Sequence, residues 1–113
     1  MANKIIVQEL LKELVTDLSL GNYKNIIKTG RNGRLTEKEI VDAISEYPGK
    51  ISLPDNQSFL NYHQYDYNDN PDECAIEFDL WFDNKKSDLT LRGEIVRDNK
   101  GKYQIKIQDI LVM

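Results

Sequence analysis

The stretch Ile76–Val96, IEFDLWFDNKKSDLTLRGEIV, decides the fold. Its first arm alternates Ile76, Phe78, Leu80 and Phe82 with Glu77, Asp79, Trp81 and Asp83. In the second arm Leu89, Leu91 and Ile95 share one side, and Asp88, Thr90, Arg92 and Glu94 take the other. A period of two places one set on a core and the other towards water. The polar run Asp83-Asn84-Lys85-Lys86 between the arms predicts a turn, so the whole reads as an antiparallel hairpin.

Upstream of this hairpin the period is helical. Ile6, Leu10, Leu11, Leu14 and Leu18 predict a first helix over residues 4–20, with Asn3 as N-cap and Gly21 as its stop. A short helical turn follows at Asn22–Lys28, burying Tyr23, Ile26 and Ile27. Gly30-Arg31-Asn32-Gly33-Arg34 reads as a turn. Thr36 then caps a helix with Glu39 reaching back, and Leu35 and Ile40 flank the cap as a hydrophobic staple. That helix is expected to run to about Tyr47 and to end at Pro48-Gly49, burying Ile40, Val41, Ile44 and Tyr47.

Residues 50–57 read as a connector, Ser58–Tyr67 as a strand and Asn68–Glu73 as a loop. Asp98–Gly101 reads as a second hairpin turn, and Tyr103–Met113 as the last strand. Its alternation slips at Asp109-Ile110-Leu111, which predicts a bulge or a strand buried on both faces. Helices first and an antiparallel meander afterwards give an α+β fold, with N-terminal helices packed on one face of the sheet and residues 1–113 forming one domain.

Composition narrows the function. The 113 residues are 40% hydrophobic and 30% charged, with a net charge of −4. Such a chain is large enough for one core and is ordinary for a folded protein. No run of about 18 apolar residues is present, so no membrane span is expected. Gln8, Glu9, Lys12 and Glu13 interrupt the apolar residues near the N-terminus, which argues against a signal peptide. A single cysteine excludes an internal disulfide and fits a reducing, cytoplasmic setting. The negative balance argues against direct nucleic-acid binding. Its distribution is uneven. From Ile51 to Asn84 there is no Lys or Arg against eight carboxylates, Asp55, Asp66, Asp69, Asp72, Glu73, Glu77, Asp79 and Asp83. This run is either a solvated face or a surface that attracts a basic partner.

No catalytic constellation stands out. His63 is the sole histidine, which removes any two-histidine metal site. Negative neighbours such as Glu73 raise the pKa of Cys74 and disfavour a nucleophilic role. Asp66–Asp72 resembles the start of a calcium loop with Glu77 at its twelfth position, but Pro71 stands where the sharp turn needs glycine. The Gly30–Arg34 turn before a helix could hold an anion, or its arginines could pair with local carboxylates. Glu77 and Asp79 on a strand are poorly placed for acid–base work. Trp81 lies among carboxylates, opposite the core set, as a binding anchor would. No enzymatic activity, cofactor or metal is expected.

Three segments carry a resemblance: GRNGRLTEKEIVDAISEYPG (Gly30–Gly49), FDLWFDNKKSDLTL (Phe78–Leu91) and YQIKIQDILVM (Tyr103–Met113). Together with Gly21-Asn22-Tyr23 they make the chain similar to a family of small uncharacterised bacterial α+β domains. That resemblance implies no established catalysis. It further implies kinship with immunity proteins of contact-dependent growth inhibition, which bind and neutralise a cognate toxin domain through variable surface positions. The expectation is therefore an immunity protein that blocks a toxin nuclease, whose basic substrate groove an acidic surface would complement. The expected contact set is Tyr65, Asp66, Tyr67, Asp69, Asp72, Glu73, Glu77, Asp79, Trp81 and Asp83. The rivals are a small-ligand or enzymatic domain with the cone-shaped fold of the nuclear-transport-factor-like group, and an accessory regulatory domain.

Overall fold

In the computed structural model, residues 4–67 and 69–113 are described, with residues 70–72 described by their backbone alone. Three helices precede the sheet: α1 (Lys4–Leu20), α2 (Tyr23–Lys28) and α3 (Glu37–Ser45). The strands are β1 (Ile51–Ser52), β2 (His63–Tyr67), β3 (Asn70–Phe82), β4 (Lys85–Arg97) and β5 (Tyr103–Val112). A short 3-10 helix, Asn56–Leu60, lies between β1 and β2. All pairings are antiparallel, in the order β1-β3-β4-β5, with β2 also beside β3. The fold is α+β with the helices at the N-terminus, as the change of hydrophobic period predicts.

The helices form for local reasons. α1 ends where the Asn22 N–H reaches back to the Asp17 carbonyl at 2.8 Å, with Gly21 at φ 74°. Its buried stripe is Val7, Leu11, Leu14, Val15 and Leu18. That corrects the expected stripe: Ile6 and Leu10 are only half-buried, because Val7 and Val15 turn the apolar face by part of a turn. The expected N-cap, Asn3, lies outside the described residues. In α3 the capping box is complete. The Glu39 N–H donates to Thr36 Oγ1 at 3.1 Å, and the Thr36 N–H to Glu39 Oε1 at 2.9 Å. α3 buries Ile40 and Ile44 and stops at Ser45; Tyr47, just beyond it, packs on the Phe82 ring with centroids 4.6 Å apart.

Three strand expectations need correction. Ser58–Tyr67 is not one strand, because Asp55 accepts the Ser58 N–H at 2.8 Å and winds 56–60 into the 3-10 helix. Phe59 is thereby stacked on Phe78, with centroids 5.3 Å apart. The loop expected at Asn68–Glu73 is shorter, since β3 already begins at Asn70; Asn68 itself lies outside the described residues. The main hairpin turn is Asp83-Asn84 alone, both residues at positive φ (52° and 61°), the geometry that matches the twist of a two-residue hairpin.

Bulges set the registers. Asp79 pairs with Thr90 but Trp81 with Lys86, so Ser87, Asp88 and Leu89 on β4 all face Leu80. The Ser87 hydroxyl donates to the Leu80 carbonyl at 2.6 Å and ties this bulge down. Leu89, Thr90 and Leu91 become consecutively buried. Thr90, expected to be exposed, is 3% exposed and satisfies its hydroxyl on Asp79 Oδ1 at 3.0 Å. On β5 the expected slip is present. Arg92 pairs with Asp109 and Gly93 with Ile107, leaving Gln108 as the extra residue.

One apolar cluster joins the layers, with α1, α2 and α3 contributing beside Ile76, Phe78, Leu80, Leu91, Ile95, Ile105 and Ile107. β5 ends the strand order, and the α2–α3 turn meets that edge: the Ile107 N–H donates to the Arg31 carbonyl at 2.7 Å. Gly33 makes this approach possible. Its φ is 59°, and a Cβ there would lie 2.3 Å from the Ile107 carbonyl oxygen. Gly33→Ala should therefore cost more than about 2 kcal/mol, from strain plus displaced backbone. Gly30→Ala, at a similar φ of 75° but with nothing within 4 Å, should cost about 1 kcal/mol. Urea unfolding midpoints of the two variants check this; equal losses would contradict it.

Candidate functional site

Along β3 the residues divide between two faces. Cys74, Ile76, Phe78, Leu80 and Phe82 are buried in the core beneath the helices. Glu73, Ala75, Glu77, Asp79 and Trp81 point the other way and are half-buried. Register extends this second face across the sheet. His63, Glu77, Arg92 and Asp109 form one cross-strand row, and Tyr65, Ala75 and Glu94 the next.

Carboxylates on this face are held by neighbours. Glu77 accepts from the Tyr65 hydroxyl at 3.2 Å and lies 3.2 Å from Arg92 Nε. Glu94 accepts from the Tyr67 hydroxyl at 2.7 Å and from Gln108 Nε2 at 2.8 Å. Burial, and then the hydrogen bond to Glu94, push the Tyr67 hydroxyl up to about 12. Asp79 accepts from buried Thr90 and lies 3.6 Å from Lys86 Nζ. The side chains are therefore oriented before any partner arrives.

Of the ten expected contact residues, this face brings together Tyr65, Tyr67, Glu73, Glu77, Asp79 and Trp81. Asp66 is registered with Cys74 on the opposite side of the sheet, where it accepts from Gln64 Nε2 at 2.8 Å. Asp69 is exposed beyond the end of β2. Asp83 sits in the hairpin turn, accepting the Lys50 N–H at 3.1 Å. The side chain of Asp72 lies outside the described residues.

The face also holds residues absent from that expectation: Arg92, Lys86, Glu94 and Gln108. An unbulged hairpin closed at Phe82–Lys85 would set Glu77 opposite Thr90. The two extra residues of β4 bring Arg92 there instead. The long stretch without Lys or Arg is thus compensated from the neighbouring strand.

The remaining candidates resolve by position. His63 is exposed on β2 beside Glu77. Cys74 is 3% exposed. Burial, and then the charges of Asp66 and Glu94, push its thiol up to about 11. Among the described residues, no three His, Cys, Asp or Glu side chains group to hold a metal. The Gly30–Arg34 turn is a structural clamp. Arg31 is 2.5 Å from Asp17 Oδ2, with the two side chains 13% and 16% exposed, and its Nε donates to Thr29 Oγ1 at 2.7 Å. This pair lies along a groove of about 810 Å³ between α1, α2 and the start of β5, with Leu10, Tyr103 and Ile105 as apolar lining.

A family model described as Domain of unknown function (DUF7668) matches residues 15–113. No curated protein and no solved structure matches the chain.

Two outcomes follow from the buried groups. Burial raises the Asp17 carboxyl, but hydrogen bonds from Arg31, Asn22 and Asn25, with the Arg31 charge, outweigh it and hold the group below its ordinary value. A depressed carboxyl stabilises the fold above its unfolded value of about 3.9, and that contribution is lost as pH falls through the lower folded value. Asp17→Asn should cost about 3 kcal/mol at neutral pH and flatten the acid limb of stability against pH. Urea titrations at neutral and acid pH read both effects. Cys74 should be inert to an aromatic disulfide reagent in the folded protein and react only on unfolding. Prompt modification under native conditions would contradict its burial.

Proposed function

We propose that this chain, which belongs to the DUF7668 family of domains of unknown function, is an immunity-type protein: it binds a bacterial toxin domain, acts in the cytoplasm and works without turnover. The observation that carries the reading is the second face of the sheet. The core cluster that joins the sheet to α1, α2 and α3 lies on the other face, and this one holds Trp81, Tyr65 and Tyr67 with carboxylates fixed by hydrogen bonds. Exposed Tyr65 and half-buried Tyr67 and Trp81, among ordered polar groups, suit a protein–protein interface better than a solvated face does.

Charge supports the choice of partner. The protein is net negative, and Asp69 and Asp83 stand exposed at the margins of the face. A basic surface, such as the substrate groove of a nuclease, would be steered to it. The central carboxylates already have local partners, so they orient the encounter and the marginal ones accelerate it.

Ligand binding, the second reading, has the 810 Å³ groove in its favour. The groove's most buried charges, Asp17 and Arg31, are committed to each other and to Asn22, Asn25 and Thr29. Neither is free to orient a ligand, and the other charges of the groove, Glu9, Lys12, Glu13 and Lys102, are exposed, which favours the first reading.

The test starts from the neighbouring gene, which this reading expects to encode the toxin domain. Purified protein should bind it and protect cells expressing it. Trp81→Ala should weaken affinity more than tenfold, mainly through faster dissociation. Replacing Asp69 with asparagine should slow association at low salt, and the difference should fade above about 0.1 M, where charges are screened beyond about 10 Å. Unchanged binding and salt dependence in both variants would sink the proposal.

A further inference from the structure

β3 has an interrupted neighbour. β1 pairs with it at Trp81 and Phe82, and β2 pairs with it from Asn70 to Glu77. Neither strand reaches Phe78–Leu80. The 3-10 helix fills the gap in sequence, and its Phe59 packs inward on Phe78. A notch of about 180 Å³ remains, lined by Asp55, Gln57, Ser58, Asn61, Phe78, Asp79, Trp81 and Lys86. It opens beside the face described above.

The lining is two-natured. Phe78 and Trp81 supply apolar wall. Asp55 and Asp79 supply carboxylates, with the polar residues Gln57, Ser58 and Asn61 around them. Asp55 uses Oδ1 for the Ser58 N–H, and Oδ2 accepts nothing among the described residues. Asp79 keeps Oδ1 on Thr90, while Oδ2 has only Lys86 at 3.6 Å, a lysine whose side chain is 67% exposed. Two carboxylates therefore face one loosely held cation. A long, weakly paired ammonium is displaced at little cost.

We propose that this notch receives a single arginine side chain of the basic partner, its stem against Phe78 and Trp81 and its guanidinium shared by Asp55 and Asp79. Arginine fits on three counts. Its planar fork pairs with carboxylates through two parallel hydrogen bonds. Its methylenes bury against apolar surface while the head stays polar. Its cation is attracted to an indole more strongly than to other rings. Lysine matches only the charge. The incoming arginine displaces Lys86, so binding is an exchange of cations rather than the burial of a new unpaired charge.

This inference deepens the partner-binding reading and rests on it, but it is tested without the partner. Trp81 is the only tryptophan, so its fluorescence reports on this notch alone. The probe is the peptide acetyl-Gly-Arg-Gly-amide, with its neutral citrulline counterpart as control. The arginine peptide should give a saturable fluorescence change at millimolar concentration, and the citrulline peptide none. Asp79→Asn and Asp55→Asn keep the acceptors for Thr90 and Ser58, so they should fold, and each should weaken the arginine peptide about tenfold or more. Lys86→Ala should tighten it about threefold by removing the competitor. No saturable change up to about 10 mM, well above the millimolar affinity expected of one side chain, would overturn the inference. So would equal responses to arginine and citrulline. If toxin binding persists in that case, the face remains the interface and only the notch is lost. If the peptide binds as described but the toxin does not, the notch stands and the toxin is the wrong partner.

Discussion

Arg31 connects the layers of this protein from both ends of the residue. Its guanidinium binds Asp17 on α1 and Thr29 at the end of α2, and its carbonyl accepts the Ile107 N–H of β5. An ion pair this buried gains little over a well-packed apolar contact, yet breaking it strands a charge. Its value is therefore positional. With Arg31 anchored to α1, the following turn can lie only along the edge of β5. Gly33 then permits a contact that no side chain would tolerate. The same contact occupies a backbone group on a strand edge that could otherwise pair with another chain, and the Gln108 bulge beside it interrupts the edge further.

The bulges give the sheet its chemistry. Without the extra residues on β4, Glu77 would oppose Thr90 and Arg92 would lie beyond it. With them, Glu77 meets Arg92 on the same face, because a shift of two residues keeps the pleat in phase, although Thr90 next to the bulge becomes buried. The Gln108 bulge has the opposite parity. It inverts the phase of β5, so that Ile105 and Ile107 before it and Ile110 after it all reach the core. One bulge chooses partners on the open face, and the other keeps the covered face apolar.

Much of this was legible in the sequence and some was not, for definite reasons. The Thr36–Glu39 cap, the end of α1 at Gly21 and the alternation of β3 each depend on residues within a turn of one another. Local chemistry determines them, and their reading held. The 3-10 helix at Asn56–Leu60 was misread because its Phe and Leu have strand composition. What bends it is the Asp55 cap and the demand of Phe78 for a stacking partner, a contact between residues far apart in sequence. The compensation of Glu77 by Arg92 and of Asp79 by Lys86 was invisible for the same reason. It requires the register, and the register requires the bulge. Of the nine expected contact residues whose side chains are described, six share the open face, since alternation separates Asp66 from Tyr65, the turn takes Asp83 and Asp69 lies beyond β2.

That redistribution changes how the acidic run should be understood. Read linearly, eight carboxylates and no cation describe a uniformly negative patch. Folded, the carboxylates with the most ordered geometry, Glu77, Asp79 and Glu94, are partnered by Arg92, Lys86, Tyr67 and Gln108. Glu77 and Asp79 are paired with cations and give little long-range field, while Glu94, held by neutral donors, keeps its charge. Among the described residues, further charge without a cation beside it sits at the margins, on the exposed Asp69 and Asp83. Field at the rim and order at the centre divide the two tasks of recognition. Steering depends on the rim and weakens with salt, while residence depends on how well a partner's side chains replace local contacts at the centre. Asp79 belongs to the centre by its bond to Thr90, but its link to Lys86 is the loosest there. The ordered face therefore yields most readily at the notch beside Trp81, where a stronger cation has the least to displace.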